Sequence, residues 1–142
     1  MIKTILRAFK VYHCFWVSMI LLTCLSFLKS SKALDIQLHD TYYVISLSTI
    51  GIITAILSGF FGLTYWLLRN KNYLLIPAVL HCFVTLLCFL FLILSVYFQK
   101  IPTSTGDQLN YIRFLTYFSI SFIFAQILFA GNILYTLIKS IL

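Results

Sequence analysis

The sequence predicts an all-α integral membrane protein, a four-helix bundle with both termini on the cytoplasmic side. Three observations carry this. Hydrophobic residues make up 62% of the 142 and charged residues 9%, whereas an ordinary soluble domain is about half apolar and about a quarter charged. The apolar residues gather in four runs, each long enough to cross a hydrocarbon core of about 30 Å at about 1.5 Å per residue. The ten Lys and Arg residues lie mostly at the ends of those runs, where long basic side chains snorkel to anionic head groups. A soluble core cannot absorb this much apolar surface without exposing large patches. The net charge of +7 comes with no long basic run and no nucleic-acid motif, which excludes nucleic acid as a partner. The primary partner is the lipid bilayer.

Residues 1–142 read as a single membrane domain. At its start, residues 1–10 (MIKTILRAFK) place Lys3, Arg7 and Lys10 on one helical face, the pattern of an amphipathic helix at a membrane surface. A signal peptide ending at Ser31-Lys32-Ala33 is the competing reading; the apolar run from Val11 to Leu28 exceeds its usual length. The spans are expected at about residues 11–28, 44–68, 73–98 and 114–138. Helices are required within them, because an open sheet leaves its backbone unsatisfied in lipid. The short polar segment Arg69-Asn70-Lys71-Asn72 makes the second and third spans an antiparallel hairpin. Pro77 falls in the first turns of the third span, where it costs least. Residues 99–113, with Pro102 and Gly106, read as a turn.

Orientation follows from the basic residues. Lys3, Arg7, Lys10, Arg69, Lys71 and Lys139 share one side. Lys29, Lys32, Lys100 and Arg113 share the other with all three acids, Asp35, Asp40 and Asp107. The positive-inside rule places both termini in the cytoplasm and the 29–43 loop on the outer side. No leader rich in Arg and Ser precedes the first span, so a bacterial inner membrane is expected.

The stretch Leu34-Asp35-Ile36-Gln37-Leu38-His39-Asp40-Thr41-Tyr42-Tyr43-Val44 is the most distinctive in the chain, holding two of the three acids and one of the three histidines. It resembles the start of the tenth transmembrane helix of subunit I of the haem-copper (cytochrome c) oxidase family. A weaker likeness continues through Ala55, Gly59, Phe60, Tyr65 and Trp66. The resemblance implies that the four spans correspond to the ninth to twelfth helices of that subunit. In the family the motif runs on into two haem-binding histidines; Leu47 and Thr49 hold those positions here. The family's copper ligands lie on earlier helices that have no counterpart in this chain. Residue by residue, the resemblance implies a magnesium site at His39 and Asp40, completed by a partner's carboxylate. It also implies a carboxylate near haem propionates at Asp35, and aromatic positions at the head of the helix at Tyr42 and Tyr43.

The same residues have a purely physical reading. Asp40-Thr41 before an apolar run is a plausible helix N-cap, and His39 with the two tyrosines suits the head-group level. Gly51, Ala55 and Gly59 form a small-xxx-small row, suited either to packing within the chain or to docking another subunit. Gln126 and Asn132 are amides inside the fourth span, expected to hydrogen-bond between helices, with a pore or ligand role as the alternative. His13 and His81, on different helices, are the candidate ligands for a bis-histidine haem, against the simpler reading of interfacial or helix-bonded histidines. Cys14, Cys24, Cys82 and Cys88 all lie in apolar runs without metal-binding spacing and read as small hydrophobes. No ionisable Asp, Glu, Lys or Arg lies mid-span, which argues against an ion-coupled transporter.

The expected function is a non-catalytic accessory or assembly subunit of a respiratory membrane complex, related in sequence to an oxidase subunit but without its haem ligands. Its partners would be other membrane subunits, with no cofactor beyond a magnesium ion at His39–Asp40. The alternatives are a haem- or metal-binding redox protein and a structural or transport homo-oligomer.

Overall fold

The computed structural model describes residues 10–28, 33–38, 41–71, 73–98 and 105–141. Within them the protein is all-α but for one β-hairpin. The order is α1 (Val11–Leu28), β1 (Ala33–Leu38), β2 (Thr41–Ser46), α2 (Leu47–Leu67), α3 (Leu75–Phe98) and α4 (Thr105–Ile141). All four helices are long and apolar enough to cross a membrane. The expected amphipathic start, residues 1–9, lies outside the described residues.

The motif region corrects the expected boundary of the second span. Residues 44–46 are strand, and α2 begins at Leu47. β1 and β2 pair antiparallel, from Ala33 opposite Ser46 to Leu38 opposite Thr41. The residue types explain the strand: Leu34, Ile36 and Leu38 alternate with Asp35 and Gln37, and Thr41 to Ile45 are β-branched or aromatic. The helix cap sits at Ser46 rather than Asp40. Ser46 has extended backbone (φ −64°, ψ 148°), and its hydroxyl accepts from the Thr49 N–H at 3.1 Å, satisfying one of the first-turn donors.

Two other boundaries move. α3 starts at Leu75 rather than 73. α4 starts at Thr105, so the expected turn over 99–113 is helical from there on; residues 99–104 lie outside the described residues. At 37 residues α4 is about 55 Å long. Its part long and apolar enough to cross a membrane is Leu115–Ser140.

α1 and α2 share the most extensive helix contact. Gly51 lies against Ser26, Gly59 against Met19, and Gly62 against Trp16 and Phe15. The absent side chains let the two backbones approach closely. Ser18 and Ser58 hydroxyls meet across the seam at 3.1 Å. α3 packs on this pair, and α4 packs mainly on α3. Of the apolar part of α4 only 17% is buried in the chain, against 44% for α2, so α4 is peripheral and turns most of its apolar surface outward. Its exposed Ile120, Ile123, Phe124 and Ile127 are the kind of surface lipid tails cover.

Candidate functional site

The densest meeting of polar and aromatic groups lies where α2, α3 and α4 converge, at the end of the bundle opposite the hairpin. His81 is fully buried on α3. Phe129 of α4 stacks on its ring at 4.8 Å, and Phe61 of α2 meets it edge-on at 5.0 Å. Phe15 of α1 approaches at 5.4 Å. Four helices thus each contribute to one cluster. The Tyr65 hydroxyl of α2 pairs with His81 Nδ1 at 3.1 Å; in so apolar a setting an unpaired ring nitrogen or hydroxyl is costly.

Asn132 closes the same end of the bundle. The Leu74 N–H donates to Asn132 Oδ1 at 2.9 Å, and Asn132 Nδ2 donates to the Leu74 carbonyl at 3.0 Å. Leu74 directly precedes α3, so a side chain of α4 serves a backbone N–H that the helix itself leaves unpaired. This places Asn132 in the interhelical hydrogen-bonding role expected of it. Trp66 and Arg69 mark the adjacent surface, with the guanidinium 4.6 Å above the indole ring, a pairing suited to the membrane–water boundary.

The structure does not bring His13 and His81 together. His13 is exposed, and its ring contacts are Tyr12 and Trp16 on its own helix. It is Phe15, two residues on and nearly opposite around the helix, that reaches His81. Phenylalanines from three helices surround the His81 ring, and exposed His13 lies on another face of α1 from the one that meets it. The residues present do not fit a haem held between these two histidines.

His39 and Asp40, the candidate magnesium pair, lie outside the described residues. The flanking strands place Asp35 opposite Val44 and Tyr42 opposite Gln37. Tyr43 and Val44 are both at least half exposed. Gly51 and Ala55 are buried and Gly59 half-buried, and the two glycines face α1. Among the described residues, no three His, Cys, Asp or Glu side chains are grouped to hold a metal ion. Cys82 and Cys88 are buried, and the Cys14 and Cys82 thiols lie within reach of each other between α1 and α3.

Sequence reasoning marked His81 without its neighbours. Tyr65 stood only as part of a family pattern, and Phe61 and Phe129 were not singled out. One signal was available: Tyr65 follows Phe61 by four residues, hence on the same helical face. A scan against protein-family models, a search of curated proteins and a search of solved structures each return no match for this chain.

Proposed function

We propose that the chain is a non-catalytic accessory or assembly subunit of a respiratory membrane complex, seated in a bacterial inner membrane. Both termini face the cytoplasm, and the hairpin faces outward. The observation that carries this reading is the placing of the oxidase-like motif. It forms a β-hairpin at one end of the bundle and leaves Tyr43 and Val44 exposed. A two-stranded hairpin is marginal on its own, and exposed aromatic and branched side chains on it suit contact with another subunit. The outward apolar face of α4 offers a second contact, within the bilayer, for a partner helix.

Gentle detergent purification tests this, with an optical spectrum and mass spectrometry on the same native band. The proposal predicts a haem-free band that contains oxidase or cytochrome subunits, and loss of those subunits on Tyr43→Ala combined with Val44→Ser. A Soret band from this chain alone contradicts it, as does a single band of defined multiple mass without any other protein.

A further inference from the structure

The fold brings the thiols of Cys14 on α1 and Cys82 on α3 within hydrogen-bonding reach of each other. The packing around them shows the same approach. Val11, Cys14 and Phe15 lie on one face of α1, and Ala78, His81 and Cys82 on one face of α3, by spacings of three and four. All of these but Cys14 are buried, and Cys14 packs against the same core. Phe15 and His81, next to the two cysteines in sequence, have ring centroids 5.4 Å apart across the same helix contact. Both thiols are free. From this juxtaposition on two neighbouring helices, we propose that Cys14 and Cys82 are an oxidation-sensitive pair, which a lipid-soluble hydroperoxide converts into a disulfide that ties α1 to α3.

A disulfide needs Cβ atoms about 4 Å apart whose bonds to sulfur converge. Cysteines on adjacent helices fail this wherever their side chains diverge. Here the two side chains converge, because the sulfurs meet between the helices. The remaining cysteines lie elsewhere: Cys24 is exposed and about 15 Å further along α1, and Cys88 is about 9 Å further along α3.

Exposure assigns the roles. Cys14 is half-buried and Cys82 buried, so the hydroperoxide meets Cys14 first. The Cys14 sulfur attacks the peroxide, an S–O bond forms and the O–O bond breaks. The departing alkoxide oxygen takes the thiol proton and leaves as an alcohol. The Cys82 sulfur then displaces hydroxide from the Cys14 sulfenic acid, and the hydroxide takes the Cys82 proton and leaves as water. Together the two thiols lose two electrons, and the hydroperoxide is reduced to alcohol and water.

A disulfide suits this setting better than a metal ion. Dithiol and disulfide are both neutral, so the conversion leaves no charge in the apolar interior. A monovalent cation held by two thiolates would leave a net negative charge there, which is costly within a membrane. A zinc ion takes four ligands, and among the described residues no third His, Cys, Asp or Glu side chain joins the pair. The contact of α1 with α3 is less extensive than its glycine seam with α2, so the bond would fasten α1 on its weaker side. The inference does not depend on whether the chain docks to a respiratory complex.

Mass spectrometry of the full chain in lipid vesicles tests it, after treatment with cumene hydroperoxide, trapping of sulfenic acids by dimedone and alkylation of the remaining thiols. Exposed Cys24 serves as the internal control, and the dose is raised until it carries a dimedone adduct. The expected result at that dose is a disulfide-linked Cys14–Cys82 peptide in at least threefold excess over any other cysteine pair, reversed by a reductant. In Cys82→Ala the Cys14 dimedone adduct should rise at least threefold, because the sulfenic acid has lost the thiol that consumes it. Absence of the Cys14–Cys82 link while Cys24 is labelled overturns the proposal. Links of Cys14 to Cys24 or Cys88 in comparable yield do so too, since the pairing would then owe nothing to the fold.

Discussion

The two seams that hold this bundle are made differently. Between α1 and α2 the contact is built from missing side chains: Gly51, Gly59 and Gly62 admit Ser26, Met19 and Trp16. Where α2, α3 and α4 meet, the contact is built from large and polar ones: His81, Tyr65, Phe61, Phe129 and Asn132. The hydrophobic effect does not choose between these seams, since lipid tails are as apolar as leucine. Close van der Waals contact and interhelical hydrogen bonds do. The first seam sets how near two helices come. The second sets which side chains face each other, because a buried hydroxyl and an imidazole must find partners.

Each seam breaks in its own way. The largest effect is expected at Gly51→Ala. An added Cβ would overlap the Cβ of Ser26, which cannot swing aside. Overpacking of this kind costs about 1–3 kcal/mol, and the midpoint of denaturant unfolding in detergent should fall accordingly. Tyr65→Phe should come next, near 1 kcal/mol by the same assay, because it leaves His81 Nδ1 buried without its partner. Gly59→Ala should cost less than about 1 kcal/mol, since the group it meets is the mobile Met19 thioether. Gly131→Ala should change sign. Nothing lies within 4 Å of its added Cβ, and exchanging a mid-helix glycine for alanine stabilises by roughly 0.5–1 kcal/mol. Equal effects at Gly51 and Gly131 would remove the distinction between a packed and an open helix face.

The first seam was legible in the sequence and the second was not. Glycine and alanine spaced by four residues can be read from a string of letters, because the pattern lies on one helix. The His81 site takes residues from all four helices, and no spacing on α3 reveals that Phe15 or Phe129 will cover that ring. Asn132 was half legible. An amide in an apolar run must hydrogen-bond somewhere, but its partner, the Leu74 backbone, is a feature of the fold. The hairpin was missed for another reason. The alternation of Leu34, Ile36 and Leu38 with polar residues was visible, yet Val44–Ile45 merges without a break into the apolar run that follows. Only the Ser46 cap separates strand from helix, and the Asp40-Thr41 pair offered a rival start. The length of α4 was hidden by Gly106 and the polar residues after it, which look like a turn but lie in the first turns of a helix.

The central claim is that a specific polar pair, rather than apolar packing alone, joins α2 to α3. A double-mutant cycle on unfolding stability tests it directly, with Tyr65→Phe, His81→Phe and the combined variant in one detergent. The pair predicts a favourable coupling of about 0.5–1.5 kcal/mol, in the range of interhelical hydrogen bonds in membranes. Strictly additive effects would contradict it, and would leave the aromatic rings around His81 as the whole of the contact.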